Sequence, residues 1–182
     1  MAQHKLKSQS NVANKVYATL SIIAAVVLLV VGLLALWAST FTTTMVKTEL
    51  AAQKIYFPAK GSPALDPQVY PDLQQYAGQL VDTAPEARAY ANGYIGRHLE
   101  EVAGGKVYAE VSAAAMKDPT NAVLQKQKAS LFQGETLRGI LLSTGYAYGT
   151  IGSIARIAAY VLFIGSAIML FGAGIFSKKL RG

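Results

Sequence analysis

The chain has 182 residues, is 52% hydrophobic, carries a formal charge of +7 and contains no cysteine. Without cysteine there is no disulfide framework and no thiol nucleophile. The seven surplus charges are Lys5, Lys7, Lys15, Arg156, Lys178, Lys179 and Arg181, whereas Thr40 to Ala155 hold ten basic and ten acidic residues. A nucleic-acid face would concentrate Lys and Arg within the folded part, so no nucleic-acid partner is expected.

Residues 1–15, MAQHKLKSQSNVANK, are polar and read as a cytoplasmic tail in which His4 is solvated. Val16 to Trp37 is an uncharged run of 22 residues, with Tyr17 and Trp37 at its ends. About 20 apolar residues of helix cross a bilayer core, and aromatic residues favour its two interfaces. The run is longer than the ~7–15 residues of a signal-peptide core, and Leu36 stands where a cleavage site needs a small residue. Residues 16–38 are therefore predicted to be an uncleaved transmembrane helix.

Between the apolar runs, residues 39–155 are expected to form a helical domain. Good helix formers extend from Thr42 to Phe57 and stop at Pro58, and 59–71 contain three prolines and a glycine, a loop composition. Leu73, Tyr76, Ala77 and Leu80 predict an amphipathic helix over 72–82. Thr83 can cap a helix with Pro85 and Glu86 in its first turn, stopped by Gly104-Gly105. Ala91, Tyr94, Ile95, His98, Leu99 and Val102 are expected on its apolar side. A short helix follows over 107–117. From Pro119 onward a long helical pattern leads toward the C-terminus, weakened by Gly134 and Gly139 at about 1 kcal/mol each. Residues 139–155 are uncharged but rich in Gly, Ser, Thr and Tyr. They either pack on the domain or lie in the outer leaflet, with a bend over 145–152.

Ile157 to Phe176 is the second uncharged run, of 20 residues, and predicts a transmembrane helix over 156–177 followed by a second tail at 178–182. Lys15, Arg156, Lys178 and Lys179 are the membrane-boundary charges. Cytoplasmic flanks carry the excess of Lys and Arg, so both termini are expected in the cytoplasm and 39–155 outside the plasma membrane. The expected class is an all-α membrane protein: two transmembrane helices with a small helical extracytoplasmic domain between them.

Candidate chemistry is sparse. His98 is the sole histidine between the runs, and no Gly-x-Ser-x-Gly elbow accompanies it. A zinc site needs three or four ligands and a di-iron bundle needs Glu-x-x-His twice, so neither a metal nor a cofactor is expected. Tyr90, Tyr94 and His98 fall on one helical side. They serve either as core or as the lining of a pocket for a lipid, quinone or other apolar ligand. Gly145, Gly149 and Ser153 form a small-xxx-small face that packs on the first span or on a partner's transmembrane helix. Glu135 and Arg138, one turn apart, can pair and tie the long helix to the domain.

Tyr90 to Ala113 (YANGYIGRHLEEVAGGKVYAEVSA) and Ala129 to Gly152 (ASLFQGETLRGILLSTGYAYGTIG), above all the string Gly134-Glu135-Thr136-Leu137-Arg138-Gly139, carry a resemblance. The chain resembles a group of actinobacterial two-span membrane proteins with an outer helical segment, some of which are named aromatic ring-opening dioxygenases. Such an enzyme typically holds iron with two His and a carboxylate. One outer histidine does not supply that set, so the activity is not carried over.

The expectation is a non-enzymatic protein of the cell envelope: an accessory or scaffolding subunit of a larger membrane assembly, with the lipid bilayer and other membrane proteins as partners. The alternative is an extracytoplasmic ligand-binding or sensory module that relays through a partner.

Overall fold

The computed structural model describes residues 2–179. Among the described residues there are six α-helices: α1 (Ala2–Ala52), α2 (Ala84–Arg88), α3 (Arg97–Ala103), α4 (Tyr108–Lys117), α5 (Ala122–Ile140) and α6 (Tyr148–Lys179). Wider π-helical segments, Ala89–Gly96 and Leu141–Ala147, join α2 to α3 and α5 to α6. No strand is present among the described residues, apart from an isolated antiparallel bridge between Tyr56 and Leu80. Two helical stretches, Gln9–Ala52 and Ala122–Lys178, are long and apolar enough to cross a membrane. The chain divides into two compact units: residues up to Phe41 together with those from Gly152, and Thr42–Ile151.

The first unit is an antiparallel pair of helices. Its buried residues are small and recur every seven positions: Ala18, Ala25, Gly32 and Ser39 on α1, with Gly152, Ala159, Ser166 and Ala173 on α6. A seven-residue repeat keeps one seam of each helix facing the other, and small residues let the backbones approach closely. The Ser166 hydroxyl donates to the Ala25 carbonyl at 2.8 Å, and the Tyr17 and Phe176 rings lie 5.5 Å apart. A Cβ on Gly32 would sit 2.6 Å from the Phe163 ring, so any larger residue there would force that ring to move. Outside the seam the large apolar side chains are exposed, among them Leu20, Val27, Leu34, Ile157, Ile164, Ile168 and Phe171. Lys15, Arg156 and Lys178 are exposed, and Arg156 Nε lies 3.4 Å from Ser39 Oγ. The side chains of His4, Lys5, Lys7 and Lys179, and Arg181, lie outside the described residues.

The second unit gathers around Leu50, Phe57, Leu65, Leu73, Val81 and Leu141, all essentially inaccessible. Here the chain departs from two expectations. The helix expected to reach Phe57 ends at Ala52, where Lys54 adopts a positive φ of 54° and lets Ile55 to Phe57 run extended. Phe57 and Val81 then donate backbone bonds to the carbonyls of Gln79 and Ile55. The helix expected over 72–82 is a short 3₁₀ helix of six residues, Pro71–Tyr76, because Gly78 at φ 73° turns the backbone out and Leu80 pairs across to Tyr56. Apolar spacing alone does not exclude this outcome when a glycine can take the left-handed conformation.

The later helices follow the sequence more closely. Glu86 Oε2 accepts from the backbone N–H groups of Asp82 and Thr83, tying off the start of α2. Gly104 ends α3 in the left-handed conformation at φ 60°. Asn121 caps α5 by accepting from the Leu124 N–H. Residues up to Ile151 belong to the second unit: Gly145 lies against Ala87 and Leu50, and Gly149 against Ala84.

Candidate functional site

The second unit carries an open cleft of about 560 Å³ between the Pro71–Tyr76 segment and the helical stretch beginning at α2. Its polar lining comes from Asp72, Gln75, Arg88, Asn92, Arg97 and Tyr146. Leu73 forms part of its floor, packed so closely that a Cβ on Gly93 would come within 2.9 Å of it.

The π segments explain how these residues meet. In an α-helix, positions nine apart are about two and a half turns apart and point to opposite sides. Arg88 and Arg97 nevertheless line one cleft, with Asn92 between them, because the Ala89–Gly96 segment fits more residues into each turn. The buried face reports the same widening. Ala87, Ala91, Ile95, Leu99 and Ala103 are buried at a constant spacing of four. On an ideal α-helix that spacing would drift by about 40° at each step. Leu141, Gly145 and Gly149 repeat the pattern through the second π segment, which also supplies Tyr146.

Three arginines of the unit have distinct partners. Arg97 makes a two-pronged ion pair with Asp72, at 2.7 and 3.0 Å, which clamps the 3₁₀ segment to the helix. That pairing holds the Asp72 carboxyl below its ordinary pKa, chiefly through the Arg97 hydrogen bonds, and raises Arg97 in return. Arg138 Nη1 donates to both oxygens of Glu135 at 3.0 Å, and Nη2 donates to Asn92 Oδ1 at 3.1 Å. Together these contacts tie α5 to the first π segment. Arg88 has no carboxylate at ion-pair distance among the described residues. Its guanidinium lies 5.1 Å from the centre of the Tyr146 ring, and Nη1 approaches the phenol oxygen at 3.4 Å.

Tyr90 and Tyr94, expected to share a side with His98, are part-buried among other rings, whereas His98 is not. Tyr90 packs edge-on against Phe57 at 5.0 Å and lies 5.1 Å from Tyr94, which in turn lies 5.5 Å from Tyr70. Phe57 also stacks on Tyr76. Burial raises the pKa of the Tyr70 and Tyr90 phenols, most strongly through desolvation. These rings fill the interior against one another. His98 is exposed, a correction to its expected place on the packed side: it falls one residue before the buried row of Ala91, Ile95 and Leu99, at the rim of the packed side rather than within it. Gly145 and Gly149 are buried against the chain's own residues, while Ser153 is exposed.

Sequence reasoning missed Arg88, Asn92, Arg97 and Tyr146. The four-residue spacing of Ala87, Ala91, Ile95, Leu99 and Ala103 was a usable signal of a widened helix. The heptads Ala18-Ala25-Gly32-Ser39 and Gly152-Ala159-Ser166-Ala173 were an equally usable signal of the seam. Among the described residues no group of three His, Cys, Asp or Glu is placed to hold a metal ion. No family model matches the chain, and no curated protein or solved structure is detectably similar to it.

Proposed function

We propose that the chain is a two-span membrane protein of the cell envelope, with both termini cytoplasmic and the Thr42–Ile151 unit outside the membrane. It acts by binding rather than catalysis, as an accessory or scaffolding component of a larger membrane assembly. The observation that carries this reading is the surface of the helical pair. Its buried positions are small residues that line the internal seam, and large apolar side chains dominate the outside of both helices. Such a surface is stable against lipid tails or against the helices of another membrane protein. The seam supports an anchor that is complete within one chain, so a partner would meet the outer apolar faces rather than Gly145 and Gly149. Purification in mild detergent followed by native mass spectrometry tests the reading. A second membrane protein in fixed stoichiometry is the expected result, and a bare monomer from native expression would count against it.

A second reading, an extracytoplasmic ligand-binding or sensory module, gains support from one observation: Arg88, Asn92 and Tyr146 line an open cleft whose wall also includes Leu73 and Tyr76. Its lining mixes charged and amide side chains with Leu73, Pro85 and Ala89, so the support goes to a ligand that carries a polar group rather than to a wholly apolar molecule.

A further inference from the structure

We infer that the cleft binds an oxyanion of the phosphate class, either a soluble phosphate ester or a phospholipid head group, through Arg88, Asn92 and Tyr146. The inference deepens the ligand-binding reading and rests on it. Of the arginines in the second unit, Arg97 and Arg138 are matched to Asp72 and Glu135, and Arg88 alone lacks a carboxylate among the described residues. With Arg88, Arg97 and Asp72 the charged groups lining the cleft, one positive charge is left over.

The donors are also oriented before any ligand arrives. A guanidinium can only donate, so Arg138 Nη2 fixes the Asn92 amide with its oxygen turned toward Arg138. The amide NH₂ is left as a donor on a residue that lines the cleft. By the same rule the Tyr146 phenol accepts from Arg88 Nη1, and its own hydrogen remains to be given. Stacking on Tyr146 limits the freedom of an otherwise exposed arginine, which lowers the entropy lost on binding. A planar carboxylate is satisfied by one guanidinium fork, whereas donors on three side chains from two helical stretches suit a tetrahedral anion. The volume of about 560 Å³ accommodates a phosphate ester with its organic group.

The test uses the full chain purified in phosphate-free detergent. One arm titrates inorganic phosphate and glycerol phosphate by calorimetry. The other adds phosphatidylglycerol or, as a phosphate-free control, diacylglycerol, and reads retention by native mass spectrometry. Saturable binding is expected in at least one phosphate arm and none with diacylglycerol. R88A should weaken it tenfold or more, N92A and Y146F several-fold, and the exposed Lys126→Ala not at all. R88K, which keeps the charge but loses the fork, should fall between wild type and R88A. A positive titration names a soluble ester as the source, and a positive lipid arm alone names a head group. No saturable binding to the wild type, or R88A binding as tightly as the wild type with an unchanged melting curve, overturns the proposal. A copurifying ligand without phosphate that is lost in R88A would overturn the phosphate class while leaving the ligand-binding reading intact.

Discussion

At the residue scale, the Arg97–Asp72 clamp and the glycines of α5 make the sharpest distinctions. Asp72 titrates lower in the folded chain than in the unfolded one. Its contribution is therefore complete above the ordinary carboxylate range and is lost as pH falls through the lowered value. The side chains are 53% and 38% exposed, so the pair is worth no more than about 1 kcal/mol. Asp72→Asn is expected to lower the midpoint of urea unfolding slightly at neutral pH and to flatten its acid dependence; an unchanged acid limb would contradict this. Gly134 and Gly139 look alike in the sequence, as two helix-weakening positions, but the structure separates them. Nothing lies within 4 Å of a Cβ placed on Gly139, so Gly139→Ala should stabilise by about 0.5–1 kcal/mol. On Gly134 the same atom meets Leu99 at 2.6, 2.7 and 3.0 Å. Overpacking of about 1–3 kcal/mol then outweighs the gain in propensity, and Gly134→Ala should destabilise. Thermal melts of the two variants moving in opposite directions are the check.

At the element scale, the helical pair and the widened helices each follow from a spacing. Seven-residue repeats of small side chains bring α1 and α6 together in one register, in which Ala25 faces Ser166. The chain has no cysteine, so that register can be tested directly. The double variant A25C/S166C is expected to crosslink under mild oxidation, and V26C/S166C, with Val26 on the exposed face, is not. Equal crosslinking of both would mean a different seam. The helix from α2 to α3 carries the opposite lesson. Its buried row was legible in Ala91, Ile95 and Leu99, but not the exposure of His98 at the rim of that row. A fixed angle per residue, which would put Arg88 and Arg97 on opposite sides, fails once a π segment intervenes. The expected α-helix over 72–82 failed for its own reason: its spacing was helical, but Pro71 and Gly78 left room for only a short 3₁₀ helix.

At the scale of the whole molecule, the two-span architecture makes a topological prediction. Lys60 is exposed in the second unit and Ser10 is exposed near the start of α1. In intact cells Lys60→Cys is expected to react with a membrane-impermeant thiol reagent and Ser10→Cys only after permeabilisation. The reverse pattern would invert the orientation argued from the basic flanks, and equal labelling of both would remove the membrane from the reading. Copurification asks the separate question of partners. The two experiments fail independently, since a correctly inserted chain can still stand alone.

The amino-acid sequence by itself determined that the chain is helical and has two uncharged stretches of spanning length. It also determined where α2 begins and α3 ends. Those are local properties: hydropathy over some twenty residues, a glutamate three residues beyond a threonine, a glycine after the last helical turn. Tertiary structure decided which glycines are needed, where Tyr90 and Tyr94 go, and that Arg88, Asn92 and Tyr146 share a cleft. Those outcomes depend on the rotation accumulated along a widened helix and on which side chain of a distant segment occupies the space beside it, and neither quantity is written in the spacing of one stretch.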